Sequence, residues 1–167
     1  GETTPHANTV LTLLESDGAD NWMRLALLSS LATGADDVLA AMLSGESDPD
    51  REQLEFINQL ARTVGASGRS DDIRTVVSAV ENAASEKGRV VQAVVRQLLN
   101  GLNEGTATPE TREALLSSDT VRESVQEHIQ TAMNFLRDAS KKPQDHIYAA
   151  SAIGLAPYTD SRELLLD

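Results

Sequence analysis

Apolar residues along this chain recur at three- and four-residue spacing, the period of a helix face and not of a strand. With proline, glycine and capping residues as punctuation, the pattern predicts helices at roughly 8–16, 20–33, 35–44, 50–64, 70–84, 88–102, 109–117, 119–139, 143–155 and 159–167. Pro49 after Ser47-Asp48 and Pro109 after Thr108 are expected at first helical positions, each beside a capping side chain. Gly34, Gly45, Gly65 and Gly101 fall where the apolar period stops, which predicts left-handed C-terminal caps. Valine-rich pieces at 73–80 and 90–95 have strand propensity. Val76, Val77 and Val80 nevertheless sit at helical spacing among Ala79, Ala83 and Ala84, which favours helix.

The block Asp20-Asn-Trp-Met-Arg-Leu-Ala-Leu-Leu-Ser-Ser-Leu31 is apolar around most of a helical circumference, which predicts a helix with neighbours on most sides. An aliphatic residue followed directly by Arg recurs at Met23-Arg24, Ile73-Arg74, Val95-Arg96 and Val121-Arg122. The period is loose. Helix pairs repeating every few tens of residues are nevertheless how helical solenoids look in sequence. The fold class expected is therefore all-α, an α-α superhelix of helical hairpins, with a compact multi-helix bundle as the alternative.

Composition supports stacked helices and removes several chemistries. The chain has 167 residues, 40% hydrophobic but only 3% aromatic, so its core must come from Ala, Leu, Val and Ile. A net charge of −12, spread along the chain, opposes binding to nucleic acid or to anionic lipid. Cysteine is absent, which excludes disulfides, thiolate metal sites, a thiol nucleophile and covalent c-type haem. No apolar run is long enough to predict a membrane span.

Candidate chemical residues have bland alternatives. Asp20 and Arg24 stand four apart and can pair along a helix or link neighbouring repeats. Trp22, beside Leu25, Ala26 and Ser29, is expected as a buried wedge between helices, with a partner-binding anchor as the other reading. His6, His128 and His146 are expected to be solvated. A metal site would need His128 and His146 to converge, for no metal-ligand spacing occurs. Serine pairs at 29/30 and 117/118 lack any nucleophile motif. The acidic loops Asp17-Gly-Ala-Asp20 and Ser47-Asp-Pro-Asp50 lack the alternating oxygen ligands of an EF-hand, and capping explains them.

The order Asp20-x-x-Met-Arg-x-x-Leu27 after the apolar Val10-Leu-Thr-Leu-Leu14 resembles the HEAT repeat, and structural repeat roles fall on Asp20, Trp22, Arg24, Arg74 and Arg122. More narrowly, Val10 to Leu31, with Leu60-Ala-Arg-Thr-Val-Gly-Ala66 and Ala152-Ile-Gly-Leu-Ala-Pro-Tyr158, is similar to the HEAT-like segment of large planctomycete-type membrane-bound or sorbosone-type dehydrogenases. The resemblance implies a periplasmic or extracytoplasmic parent with a propeller before the helices and a haem domain after them. Neither pattern occurs in this chain, so the parent's redox chemistry transfers to none of its residues.

The expectation is then a non-catalytic spacer or protein-interaction module. Residues 1–7 read as a disordered tail or cut end, and 8–167 as one HEAT-like domain belonging to a longer protein. It carries no catalytic, cofactor or metal residue. Its partners are other domains of the parent or another protein, with no nucleic acid and no membrane contact. Two rivals are a helical part of the parent's active site and an independent cytoplasmic regulatory bundle. Leu164, Leu165 and Leu166 are expected to form an apolar edge that further helices would cover.

Overall fold

The computed structural model describes residues 9, 10, 12, 13, 21–31, 33–45, 47–105 and 108–137; the side chains of 21, 23–25, 136 and 137 are excluded. Within these residues the regular structure is entirely α-helical. Residues 9, 10, 12 and 13 are helical, followed by α1 (Asn21–Ser30), α2 (Ala35–Ser44), α3 (Arg51–Ser67), α4 (Ser70–Ala83), α5 (Gly88–Glu104), α6 (Pro109–Leu115) and α7 (Asp119–Arg137). The valine-rich pieces are helical. Val76, Val77 and Val80 lie on the buried face of α4, and Val90, Val91, Val94 and Val95 on that of α5. The predicted helices at 143–155 and 159–167, and the Leu164–Leu166 edge, lie outside the described residues.

Local chemistry sets the helix ends. Asp50 starts α3 through a capping box: its carboxylate accepts from the Glu52 and Gln53 N–H groups, and the Gln53 side chain accepts from the Asp50 N–H. With Asp50 as the cap, Pro49 lies one residue before the helix cap and not at the first helical position. Pro109 does open α6, with the Thr108 hydroxyl accepting from the Thr111 N–H. Ser118 begins α7, its hydroxyl taking the Val121 N–H and its carbonyl the Arg122 N–H.

The glycine expectations need correction. Gly34 is left-handed at φ 93° but precedes α2 in the turn from α1, and Gly45 is extended at φ −60°. Gly65 and Gly101 cap nothing. They are buried inside α3 and α5, and the left-handed cap of α3 is Gly68, at φ 64°. A Cβ on Gly101 would collide with the Arg62 carbonyl and the Ala66 nitrogen, and one on Gly105 with the Ala66 carbonyl. A Cβ on Gly65 would meet the Leu98 carbonyl. Absent side chains let two backbones touch.

This crossing belongs to a general pattern in which helices one apart in sequence pack together. The contact of α3 with α5 is the most extensive among the described elements, and α2 packs on α4, α4 on α6 and α5 on α7. Apart from α2 with α3, successive helices touch over less surface. Partners along the α3–α5 crossing advance together, from Arg62 at Gly101 to Ala66 at Gly105, so the two helices run parallel. Their ends are tied by the Arg62–Glu104 ion pair, in which Arg62 Nε donates to Glu104 Oε2 at 2.8 Å. Likewise Asp36 at the start of α2 senses Asp72 at the start of α4, and Lys87 just beyond α4 reaches the end of α2. That pair is parallel too.

The core fills the space between these stacks. Phe56, Ile57, Leu60 and Val64 of α3 share one cluster with Val38, Leu39 and Leu43 of α2, Ile73, Val76 and Val80 of α4, and Val94, Leu98 and Leu99 of α5. Each fully buried side chain of this kind stabilises by about 1.5 to 3 kcal/mol through removal from water. The recurrent aliphatic-Arg pair marks where a helix surface turns from core to solvent. Ile73, Val95 and Val121 are buried, and Arg74, Arg96 and Arg122 beside them are exposed.

Candidate functional site

Two grooves form where stacked helices meet. The first, of about 500 Å³, runs between α2 and α4, walled by Asp37, Ala40, Ala41 and Ser44 on one side and Thr75, Ser78, Ala79 and Asn82 on the other. Its floor is Lys87, only 6% exposed. The Lys87 ammonium donates to the Leu43 carbonyl at 3.2 Å and to the Gly45 carbonyl, filling acceptors that the end of α2 leaves open. A cation there also complements the negative end of the helix dipole. Lys87 is therefore a structural clamp between two stacked helices, and its donors are engaged with backbone. No signal in the sequence marks it, since its partners lie 42 and 44 residues away.

At the other end of the same pair the starts of α2 and α4 gather Asp36, Asp37, Asp71 and Asp72. Acidic first turns suit each helix singly, but stacking brings the two together. Arg69 pairs with Asp72 and Arg74 with Asp71 at 2.9 Å; Asp36 feels the others most. Partial burial, then the charges of Asp72 and Asp37, raise its carboxyl above the usual range. A carboxyl raised in the folded state favours folding when protonated, and that advantage is lost as pH rises through the folded-state value. Asp36→Asn is accordingly expected to raise stability at pH 7 by a few tenths of a kcal/mol, given solvent screening, and to bring no gain at pH 3. Denaturant midpoints at the two pH values check this; a larger gain at pH 3 would contradict it.

The second groove, of about 260 Å³, lies between α5 and α7 and is lined by Arg89, Gln92, Ala93, Arg96, Ser124, Glu127, His128 and Thr131. Gln92 Nε2 donates to Glu127 Oε2 across it at 3.0 Å. His128, expected to be fully solvated, is half-buried; desolvation, then the Arg96 charge, lower its basicity. The correction has a simple cause: stacking of α7 on α5 draws this position of α7 into the groove between them.

No known protein family, curated protein or solved structure matches this chain. The residues singled out from sequence therefore have to be judged on their geometry. Asp20 lies outside the described residues, as do His6, His146 and the loop at 17–20; Arg24 is in α1, its side chain outside the description. Arg74 and Arg122 pair within their own helices, with Asp71 and with Asp119 at 2.7 Å, and not between repeats. Arg122 also donates to the Leu116 carbonyl at 3.0 Å, fastening the turn before α7. Ser30 and Ser117 donate to backbone carbonyls three residues earlier, as helix-end serines do, and Asp50 is spent on its cap. Among the described residues, no group of three His, Asp or Glu side chains is placed to hold a metal ion.

Trp22 is the clearest correction. It is 79% exposed and does not wedge between helices. Among the side chains described in this segment, Leu27 and Leu31 are buried and Leu28 half-buried, while Ala26, Ser29 and Ser30 face solvent, so burial does not extend all round the helix as the apolar run suggested. The native fluorescence of this sole tryptophan is expected close to the fully solvated position, and Trp22→Ala to change stability by less than about 0.5 kcal/mol. A strongly blue-shifted native emission would contradict this placement.

Proposed function

We propose that the chain is a HEAT-like helical superhelix acting as a non-catalytic spacer or protein-interaction module within a larger, exported, dehydrogenase-like protein. The observation that carries the architectural part is the parallel stacking of helices one apart in sequence, α3 on α5 and α2 on α4. A chain built this way adds hairpins without changing the contact each makes with the last, and its helix faces become continuous surfaces. The interaction role draws support from Trp22, a large aromatic held at the surface of α1, the residue type most enriched where partners bind tightly. The parent's identity rests on the resemblance of residues 10–31, with 60–66 and 152–158 fitting the same segment.

The test is deletion of residues 8–167 from the full-length gene product, followed by kinetics of whatever reaction the parent performs. The spacer reading expects kcat unchanged, with altered separation of the flanking domains in small-angle scattering. Loss of kcat from folded flanking domains would make these helices part of the active site. A gene that encodes only this chain would overturn the spacer role.

A further inference from the structure

We propose that the groove between α5 and α7 is a binding site for a phosphate group, with Arg89, Arg96 and His128 as its cationic walls. The inference needs only this helix pair and stands apart from the superhelix reading. Arg89, Ala93 and Arg96 follow one another at four and then three residues, so they share one face of α5. The two arginines are about 10 Å apart along the axis, and Ala93 between them leaves the floor open. Two flexible guanidinium arms can thus converge over a small residue. His128 stands on the opposing helix, flanked by the Ser124 and Thr131 hydroxyls one turn to either side.

The charge pattern singles this groove out in a chain of net charge −12. Among the described residues the ion pairs are made by Arg62, Arg69, Arg74 and Arg122, each with a carboxylate; none takes Arg89 or Arg96. The one carboxylate in the groove, Glu127, already accepts from Gln92. The Thr131 hydroxyl donates to the Glu127 carbonyl at 2.9 Å. What remains is donors on two sides of an open floor: two guanidinium forks, the Ser124 hydroxyl and an imidazole that gains a proton when an anion arrives. A tetrahedral oxyanion can accept from all of these at once, whereas a planar carboxylate is satisfied by a single fork. The half-buried state of His128 adds to this, since its lowered basicity makes protonation conditional on a nearby negative charge. Phosphate can arrive free, on a small phosphomonoester or on a phosphorylated peptide.

The experiment is titration of the full chain with inorganic phosphate, and separately with a phosphoserine peptide, at fixed ionic strength, following the His128 imidazole by NMR. A glutamate peptide of equal charge serves as the carboxylate control. Saturable shifts at His128 are expected, with its titration midpoint rising by about one pH unit when phosphate is bound. Arg89→Gln and Arg96→Gln should each weaken binding about tenfold, and Glu127→Gln should tighten it, with the helical circular dichroism unchanged because all three side chains are exposed. The tighter of the two phosphate probes names the source. Absence of saturation at His128, retention of affinity in the double arginine variant, or equal binding of the glutamate peptide would each overturn the assignment.

Discussion

Phe56→Ala is expected to cost about 3 to 5 kcal/mol, the range for removing a large aromatic from a close-packed interior. Phe56 is fully buried and belongs to the cluster shared by α2, α3, α4 and α5. In a chain of two phenylalanines and two tyrosines, little other bulk is available to fill the space it leaves. Neighbouring Val and Leu side chains would have to collapse into the void, and helices clamped towards their C-terminal ends, α2 to α4 by Lys87 and α3 to α5 by Arg62–Glu104, resist that movement. The measurable result is a fall in melting temperature of roughly 6 to 20 °C at this chain length. A loss under about 1 kcal/mol would mean that the core around α3 is loosely packed.

The second large effect has an unusual sign. Replacing glycine by alanine inside a helix ordinarily stabilises by about 1 kcal/mol, because glycine loses more freedom on folding. At Gly101 the same change is expected to destabilise by at least about 1 kcal/mol net, since a methyl group there strikes the backbone of α3 and must push two helices apart. Gly88 supplies the contrast. It begins α5 with open space around the position of a Cβ, so Gly88→Ala should bring a gain of a few tenths of a kcal/mol. Opposite signs from one substitution type within one helix would report the crossing directly. If both variants gain stability, the close approach of α3 and α5 is absent.

These two residues also show how much of the molecule could be read beforehand. The helices between 35 and 137 begin and end within three residues of their expected bounds, because apolar period, proline and capping residues are local signals. Glycine is ambiguous by nature. A helix-ending glycine and a crossing glycine both follow an apolar run, and only the position of a second helix distinguishes them. Trp22 failed for a related reason: an apolar run establishes that a helix has a buried side but not which residue lies on it. Lys87 and the groove of Arg89, Arg96 and His128 were still further out of reach. Their partners lie on helices distant in sequence, so stacking creates the site and no spacing within one helix announces it.

The parallel stacking of α3 on α5 is the claim from which the architecture and the proposed role both follow, and proton–proton Overhauser contacts in the full chain test it most directly. The account predicts cross-peaks joining Gly101 to Arg62 and Ala66, Gly105 to Ala66, and Gly65 to Leu98 and Leu102. Cross-peaks from Gly65 and Gly101 confined to their own helices, or a set pairing Arg62 with Gly105 and Ala66 with Leu98 in the reverse sense, would contradict it.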